Sequence, residues 1–467
     1  MGDGVRRALG DKSESWAVAA ASALLLALLL VGGSTQEATG TGDLVVRLLS
    51  LPILAWGAYR LLHAPLGTLR ATWLAFAGTL LLIPLLQLAP LAGGGEGRAA
   101  LADDLARFGL PPPRTWSLLP SATRDAAFSL LPPLAVFALA STLSHAGLRR
   151  LAAAIVALAM ASLLLGIAQL GAPQESLLNP YPQWRPALGG FFANPNHQAA
   201  LLVVAATFAG AHLAGLADAA EDRVRPQRML RILAAGTALA LALVALPLTG
   251  SRAGVVLAIV AVPAAALARR PSATGRGRAG LAVGLGAMVF GALAALRWMR
   301  TDAVDDLRGP LRAASETIAA RFAPTGSGIG SYVPVFEQEA PPQLLMGSYV
   351  NHAHNEYLQW WMEGGVPALL AMALGAVVLD ATLVRLLRLP GRDRALGLAA
   401  WIALAAMLAH SLVDYPLRTP ALLAIAAALA GIACAEATRA RKPASTHVRH
   451  GSGRVPGRHD STAAPSR

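Results

Sequence analysis

Apolar runs long enough to cross about 30 Å of hydrocarbon recur along this chain, separated by short polar breaks. They lie near 16–33, 44–63, 69–92, 124–145, 149–171, 197–216, 230–249, 252–268, 280–297, 364–388, 394–413 and 418–436. The pattern predicts an all-α polytopic membrane protein with about twelve transmembrane helices. The two longest breaks are 93–123 and 298–363; the latter is too long to be a mere connection, and long loops tend to carry function. Within the second, DDLRGPLRAASETIAARF reads as a short amphipathic helix and TGSGIGSY as a tight Gly-rich turn. The tail after Ala437 has almost no apolar content. The expected division is therefore a membrane domain over 1–436 and a disordered basic tail over 437–467.

Composition agrees with this pattern. The 467 residues are 55% hydrophobic and 14% charged, with a mean hydropathy of +0.52. A formal charge of +13 would point to nucleic acid in a soluble protein. Here its distribution gives another reason. With the N-terminus inside, about two-thirds of the Lys and Arg fall in inner segments, although the two longest loops are outer. Both termini are then cytoplasmic, both long loops face outward, and no nucleic-acid partner is expected. Cys434, alone in the chain, excludes an intramolecular disulfide. The run from Trp16 to Val31 reads as an uncleaved first span.

Five polar islands fall on the outer side: GGFFANPNHQAA (189–200), TGSRAG (249–254), the 304–332 segment, NHAHNEYL (351–358) and HSLVDYPLR (410–418). Their common side suggests one site built from helix ends and loops. Arg252 lies between two apolar runs, where topology does not need it. It is either a snorkelling interfacial anchor or a diphosphate ligand, since the guanidinium fork matches phosphate oxygens. Arg308 and Arg312, four apart on the loop helix, either pair with Asp305 and Asp306 or hold phosphate. Asn194 suits an N-cap before Pro195, leaving Asn196 and His197 open to substrate. His352 and His354 form an H-x-H. No third metal ligand stands at a diagnostic spacing, and His beside Asn355 and Glu356 suits proton transfer near neutral pH.

These residues together resemble the O-antigen ligase and polymerase superfamily of bacterial membrane glycosyltransferases. The resemblance rests on His354-Asn355-Glu356-Tyr357-Leu358 followed by Glu363, Gly364 and Gly365, similar to that family's H-N/S-x-x-L…E-x-G signature. It is supported in order by Phe192 to His197, Ser251 to Gly254, Gly326 to Tyr332 and the segment 116–126, and covers roughly 110 to 420. It implies a GT-C-like fold with a large periplasmic loop before helix 10, in the bacterial inner membrane. The implied reaction transfers a glycan from undecaprenyl diphosphate to an acceptor hydroxyl on the periplasmic side, with no metal or other cofactor. His354 would activate the acceptor and Arg252 with Arg308 would hold the diphosphate; Asn194, Asn196, His197, His352, Asn355, Glu356 and Arg312 complete the expected site. Arg312 stands where that family often has an aromatic residue, which leaves the choice between Arg308 and Arg312 open, with Arg308 favoured.

The acceptor remains open among a lipid A–core sugar, a growing polymer and a protein hydroxyl. A solute transporter is the rival outside the enzyme class. It fits less well, because transporters place ionisable groups near the midplane and the spans here read as nearly uncharged.

Overall fold

The computed structural model describes residues 3–35, 40–91, 93–181, 188–218, 226–268, 305–345 and 350–439. Every regular element among them is helical. In chain order they are α1 (Asp3–Val31), α2 (Thr41–Leu62), α3 (Thr68–Leu88), α4 (Glu96–Arg107), α5 (Pro120–Ser129), α6 (Leu131–Ala140), α7 (His145–Leu170) and α8 (Pro195–Asp218). They continue with α9 (Pro226–Leu248), α10 (Arg252–Leu267), α11 (Asp305–Arg321), α12 (Tyr332–Glu339), α13 (Pro342–Leu345), α14 (Glu356–Leu387), α15 (Gly391–His410) and α16 (Pro420–Thr438). A 3-10 turn, Pro416–Arg418, joins the last two.

Nine of these helices (α1, α2, α3, α7, α8, α9, α14, α15 and α16) are long and apolar enough to cross a membrane, and α10 is a shorter apolar helix. The chain is a polytopic membrane protein. The expected span at 280–297 lies outside the described residues. The one at 124–145 is two helices: Pro132 and Pro133 have no N–H to donate, and the helix breaks at Leu130. The one at 364–388 starts eight residues earlier, at Glu356, because Asn355 caps it by accepting the Leu358 N–H at 3.1 Å.

The core runs along α16, of whose apolar window 83% is buried, against 22% in α2 and α3 at the rim. Glycines bring neighbours close. A Cβ at Gly57 would come within 2.7 Å of Ala138, and one at Gly431 within 2.6 Å of Ala140, so α2 and α16 both press on α6. The rim faces hydrocarbon with bare side chains such as Leu44, Leu48 and Leu51 on α2. Two clusters of charge in or beside the spans are paired. Arg47 sits in α2 between Asp43 (2.6 Å) and Asp125 (2.5 Å), and buried Glu436 of α16 meets His145 at 2.8 Å. Pairing is what ionisable groups in or near hydrocarbon generally require.

The loop before α14 is a small body with its own core. Leu311 and Ile318 of α11, with Phe322, Tyr332 and Phe336, pack against Leu358 and Met362 of α14. The expected amphipathic helix is α11, and its apolar face is what closes this core.

Candidate functional site

The site begins where α14 is broken. Gly365 adopts φ 59°, ψ −147°, outside helical space, so the two turns from Glu356 to Gly364 are set off from the long span that follows. The Gly-rich turn fills the break. Ser327 N–H donates to Met362 O (3.0 Å), Gly328 N–H to Glu363 O (2.8 Å) and Val366 N–H to Pro324 O (2.8 Å). Both strands of this clasp need glycine: Gly326 has φ 75°, and a Cβ on Gly365 would lie 2.1 Å from Pro324 O. From α3, Gln87 Nε2 donates to Glu363 O (2.8 Å) and its Oε1 accepts the Ile329 N–H (2.9 Å). The backbone donors of the turn at Ser327, Gly328 and Ile329 are thus held by protein, so the turn positions α14.

Glu363 anchors the same place through its side chain. It is fully buried and accepts from Arg418 Nη1 (2.7 Å), Gln359 Nε2 (3.2 Å) and the Tyr332 N–H (3.2 Å). Removing either member of such a buried pair leaves an uncompensated charge, which typically costs about 3–5 kcal/mol. Glu356 Oε1 accepts the Leu417 N–H (2.6 Å), and its own N–H donates to Ser411 O (2.9 Å). The turn between α15 and α16 is thereby tied to the first residue of α14.

That tie brings Asp414 behind His354. Asp414 is buried, its Oδ1 lies 3.6 Å from His354 Nδ1, and the same oxygen accepts the Tyr415 N–H (2.9 Å). Burial pushes its carboxyl up, but the contact with His354 and the charges of His197, His354 and His410 outweigh it. The carboxyl stays well below the usual carboxylate range. His354 itself has φ 48° and is the only non-glycine with positive φ among the described residues. Such a backbone costs on the order of 1–3 kcal/mol and persists where surrounding structure dictates it, often at functional sites. With Nδ1 toward Asp414, Nε2 is the nitrogen left for chemistry.

Tyr415 is the hub of the aromatic packing. Its ring centroid lies 4.2 Å from His352, 5.0 Å from His354 and 5.0 Å from His197, and its hydroxyl accepts from Asn351 Nδ2 (3.1 Å). His197, on the first turn of α8, is buried with neither ring nitrogen hydrogen-bonded among the described residues. A buried polar group without a partner typically costs about 1–3 kcal/mol, and such exceptions mark places where something beyond packing is at stake.

The other expected residues divide. Asn194 Oδ1 accepts the Asn196 N–H (2.9 Å), which makes Asn194 the cap of α8; both side chains remain half-exposed. Asn355 is the cap of α14 and Glu356 is buried against Leu417, so both brace the histidine loop. Arg252 is the first residue of α10, half-buried, behind a Ser251 cap whose Oγ accepts the Gly254 N–H (3.2 Å). A Cβ on Gly254 would come within 2.7 Å of Ala199 Cβ, so Arg252 begins its helix beside the first turns of α8. Arg312 is exposed and paired with Glu316 at 2.8 Å; the side chains of Asp305 and Asp306 lie outside the described residues. The side chain of Arg308 lies outside the described residues. His352 and His354 occupy neither helix nor strand.

Sequence reasoning named the island 410–418 but assigned no role to Asp414, Tyr415 or Arg418, and it passed over Gln359. The available signal was an acid and a base at the turn between two apolar runs, where neither is needed for topology.

Residues 237–373 match a family model described as O-Antigen ligase. No curated protein matches the chain. The matched stretch includes Arg252, the Gly-rich turn, His352, His354 and Glu363, whereas Asp414 and Arg418 lie beyond it. The chain is O-antigen ligase-like over this stretch, whose family comprises glycosyltransferase-like enzymes, and the match supports glycan transfer in cell-surface polysaccharide biosynthesis.

Proposed function

We propose, with the O-antigen ligase-like stretch as premise, that this protein moves a glycan from undecaprenyl diphosphate to an acceptor hydroxyl at the periplasmic face of the inner membrane. The observation that carries this reading is His354, held in a left-handed backbone conformation with the Asp414 carboxylate behind its Nδ1.

In this mechanism His354 Nε2 takes the proton from the acceptor hydroxyl as its oxygen bonds to the anomeric carbon of the donor sugar. The bond from that carbon to the diphosphate oxygen breaks, and the lipid diphosphate leaves with the electron pair. Asp414 stabilises the imidazolium formed and fixes which nitrogen faces the acceptor. Charge grows on the departing diphosphate, so fixed cations there lower the barrier. Arg252 at the start of α10 and Arg308 at the start of α11 are the proposed partners, with both chain termini on the cytoplasmic side. His354 then returns its proton to solvent, for which its half-exposed side chain is suited.

The test uses purified protein in detergent with lipid-linked glycan and acceptor-bearing membranes. General-base catalysis is worth about 10²–10⁴-fold, so His354→Ala should lose nearly all transfer while still binding the lipid-linked donor. Native turnover by His354→Ala would sink the proposal.

A further inference from the structure

Hydrogen bonds determine which nitrogen of His352 carries its proton. The Ala353 N–H lies 3.3 Å from Gln359 Oε1 and can only donate, whereas Glu363 Oε1, 3.2 Å from Gln359 Nε2, also accepts the Tyr332 N–H and belongs to a carboxylate whose Oε2 accepts from Arg418. The Gln359 amide therefore has one orientation, with its oxygen 3.1 Å from His352 Nδ1. That nitrogen carries hydrogen. Burial, followed by the Arg418 charge, holds the ring neutral well below histidine's ordinary value. A neutral ring protonated at Nδ1 has a bare lone pair at Nε2. Tyr415 at 4.2 Å and Tyr332 at 6.4 Å flank the ring and hold its plane.

His352 is not wholly covered, and Asn351, His354 and Asn355 of the same loop are half-exposed, as are Asn194 and Asn196 on the turn that carries His197 against Tyr415. The carboxylates Glu356, Glu363 and Asp414 are all buried. This rim presents neutral donors and acceptors, the surface chemistry suited to a polyhydroxyl ligand.

We propose that His352 determines acceptor specificity: its Nε2 accepts a hydrogen bond from a second hydroxyl of the acceptor while His354 deprotonates the first. The acceptor selected is then a sugar ring with neighbouring hydroxyls, in preference to a lone seryl or threonyl hydroxyl. The inference rests on His354 as base, but it assigns a separate task to the histidine outside the H-N-E motif.

Two substitutions separate the ring nitrogens. His352→Asn places an amide near Nδ1, keeps a donor for Gln359, and has nothing at Nε2. His352→Gln reaches the Nε2 position instead. The full chain is purified in detergent, checked for native thermal unfolding, and given saturating lipid-linked glycan. Membranes from cells lacking the protein are titrated as acceptor. A hydrogen bond of ordinary strength is worth about tenfold. His352→Asn should lower kcat/KM for acceptor membranes about 10-fold, mainly through KM, and His352→Gln within about 3-fold of wild type. The product should survive mild alkaline β-elimination, which frees glycan from Ser or Thr. Native kcat/KM in His352→Asn overturns the proposal, as does release of the product by alkali. The base reading fails separately: it falls if His354→Ala retains turnover and stands if His354→Ala is dead while His352→Asn is unimpaired.

Discussion

Replacing Asp414 by Asn keeps the shape of the side chain and removes its charge. The Tyr415 N–H can still donate to the amide oxygen in place of Oδ1, so the turn between α15 and α16 keeps its hydrogen bond. His354 loses a full negative charge 3.6 Å from Nδ1. Attraction between unit charges at that distance is about 1 kcal/mol with the dielectric of water and about 5 kcal/mol at an effective value of 20. A buried carboxylate beside a half-exposed ring lies between these limits. If the proton is half transferred in the transition state, about half of this enters the barrier, which slows kcat by roughly 3- to 50-fold. A misplaced tautomer adds to the loss, because the amide can turn its NH₂ toward Nδ1. Turnover is measured with purified protein at saturating lipid-linked glycan and acceptor membranes, alongside a donor-binding measurement in which Asp414→Asn should match wild type. Native kcat in Asp414→Asn would refute the pairing of Asp414 with His354 as catalytic. Unchanged turnover with weakened donor binding would instead place the carboxylate's effect on the donor side.

Four further outcomes are expected. Arg252→Ala should weaken binding of the lipid-linked donor by about 2–4 kcal/mol, and Arg252→Lys by less, because lysine keeps charge without the bidentate fork. Arg312→Ala should change it less than about tenfold, since an exposed pair with Glu316 contributes little; a larger loss would give Arg312 the role proposed for Arg308. His352 resists protonation in the folded chain, whereas the unfolded chain takes that proton below about pH 6.5. Its share of stability is thus full above about pH 6.5 and falls by up to about 1.4 kcal/mol per unit as pH drops from there toward its folded value. Thermal unfolding between pH 7.5 and 5.5 should be less pH-dependent in His352→Asn; an unchanged slope would count against a neutral His352. For topology, cysteines at exposed Asp104 and Gln338 should react with an impermeant thiol reagent in cells with a permeabilised outer membrane. One at Leu66 should react only after lysis, with buried Cys434 silent throughout; labelling of position 66 before lysis would invert the orientation. Gly95 is unsuited to this probe, because a Cβ there would lie 2.7 Å from Ala323 O.

Much of the architecture was legible along the chain. An apolar run exceeding the hydrocarbon thickness has few alternatives to a spanning helix, because each backbone polar group must be satisfied internally. Caps are equally local: Asn194 before Pro195 and Ser251 before Arg252 satisfy donors two or three residues on. Even the break at Leu130 is written in Pro132-Pro133, and the start of α14 in Asn355, although hydropathy alone placed that start at the apolar run. The residue types of the site were visible too, since polar groups at the ends of apolar runs stand out against so uniform a background.

What the tertiary structure alone decided is which of those groups meet. Asp414 lies 60 residues beyond His354, Arg418 55 beyond Glu363, and Gln87 276 before it. Hydrophobic period states which face of a helix turns inward, but not which helix it turns toward. That choice is made by the summed fit of small residues such as Gly57 and Gly431 against α6, and by the clasp of Gly326 on Gly365. Only once those contacts close does the α15–α16 turn reach the first turn of α14. His354 is then held at positive φ with a buried carboxylate behind its Nδ1, and His352 is left with its proton toward Gln359.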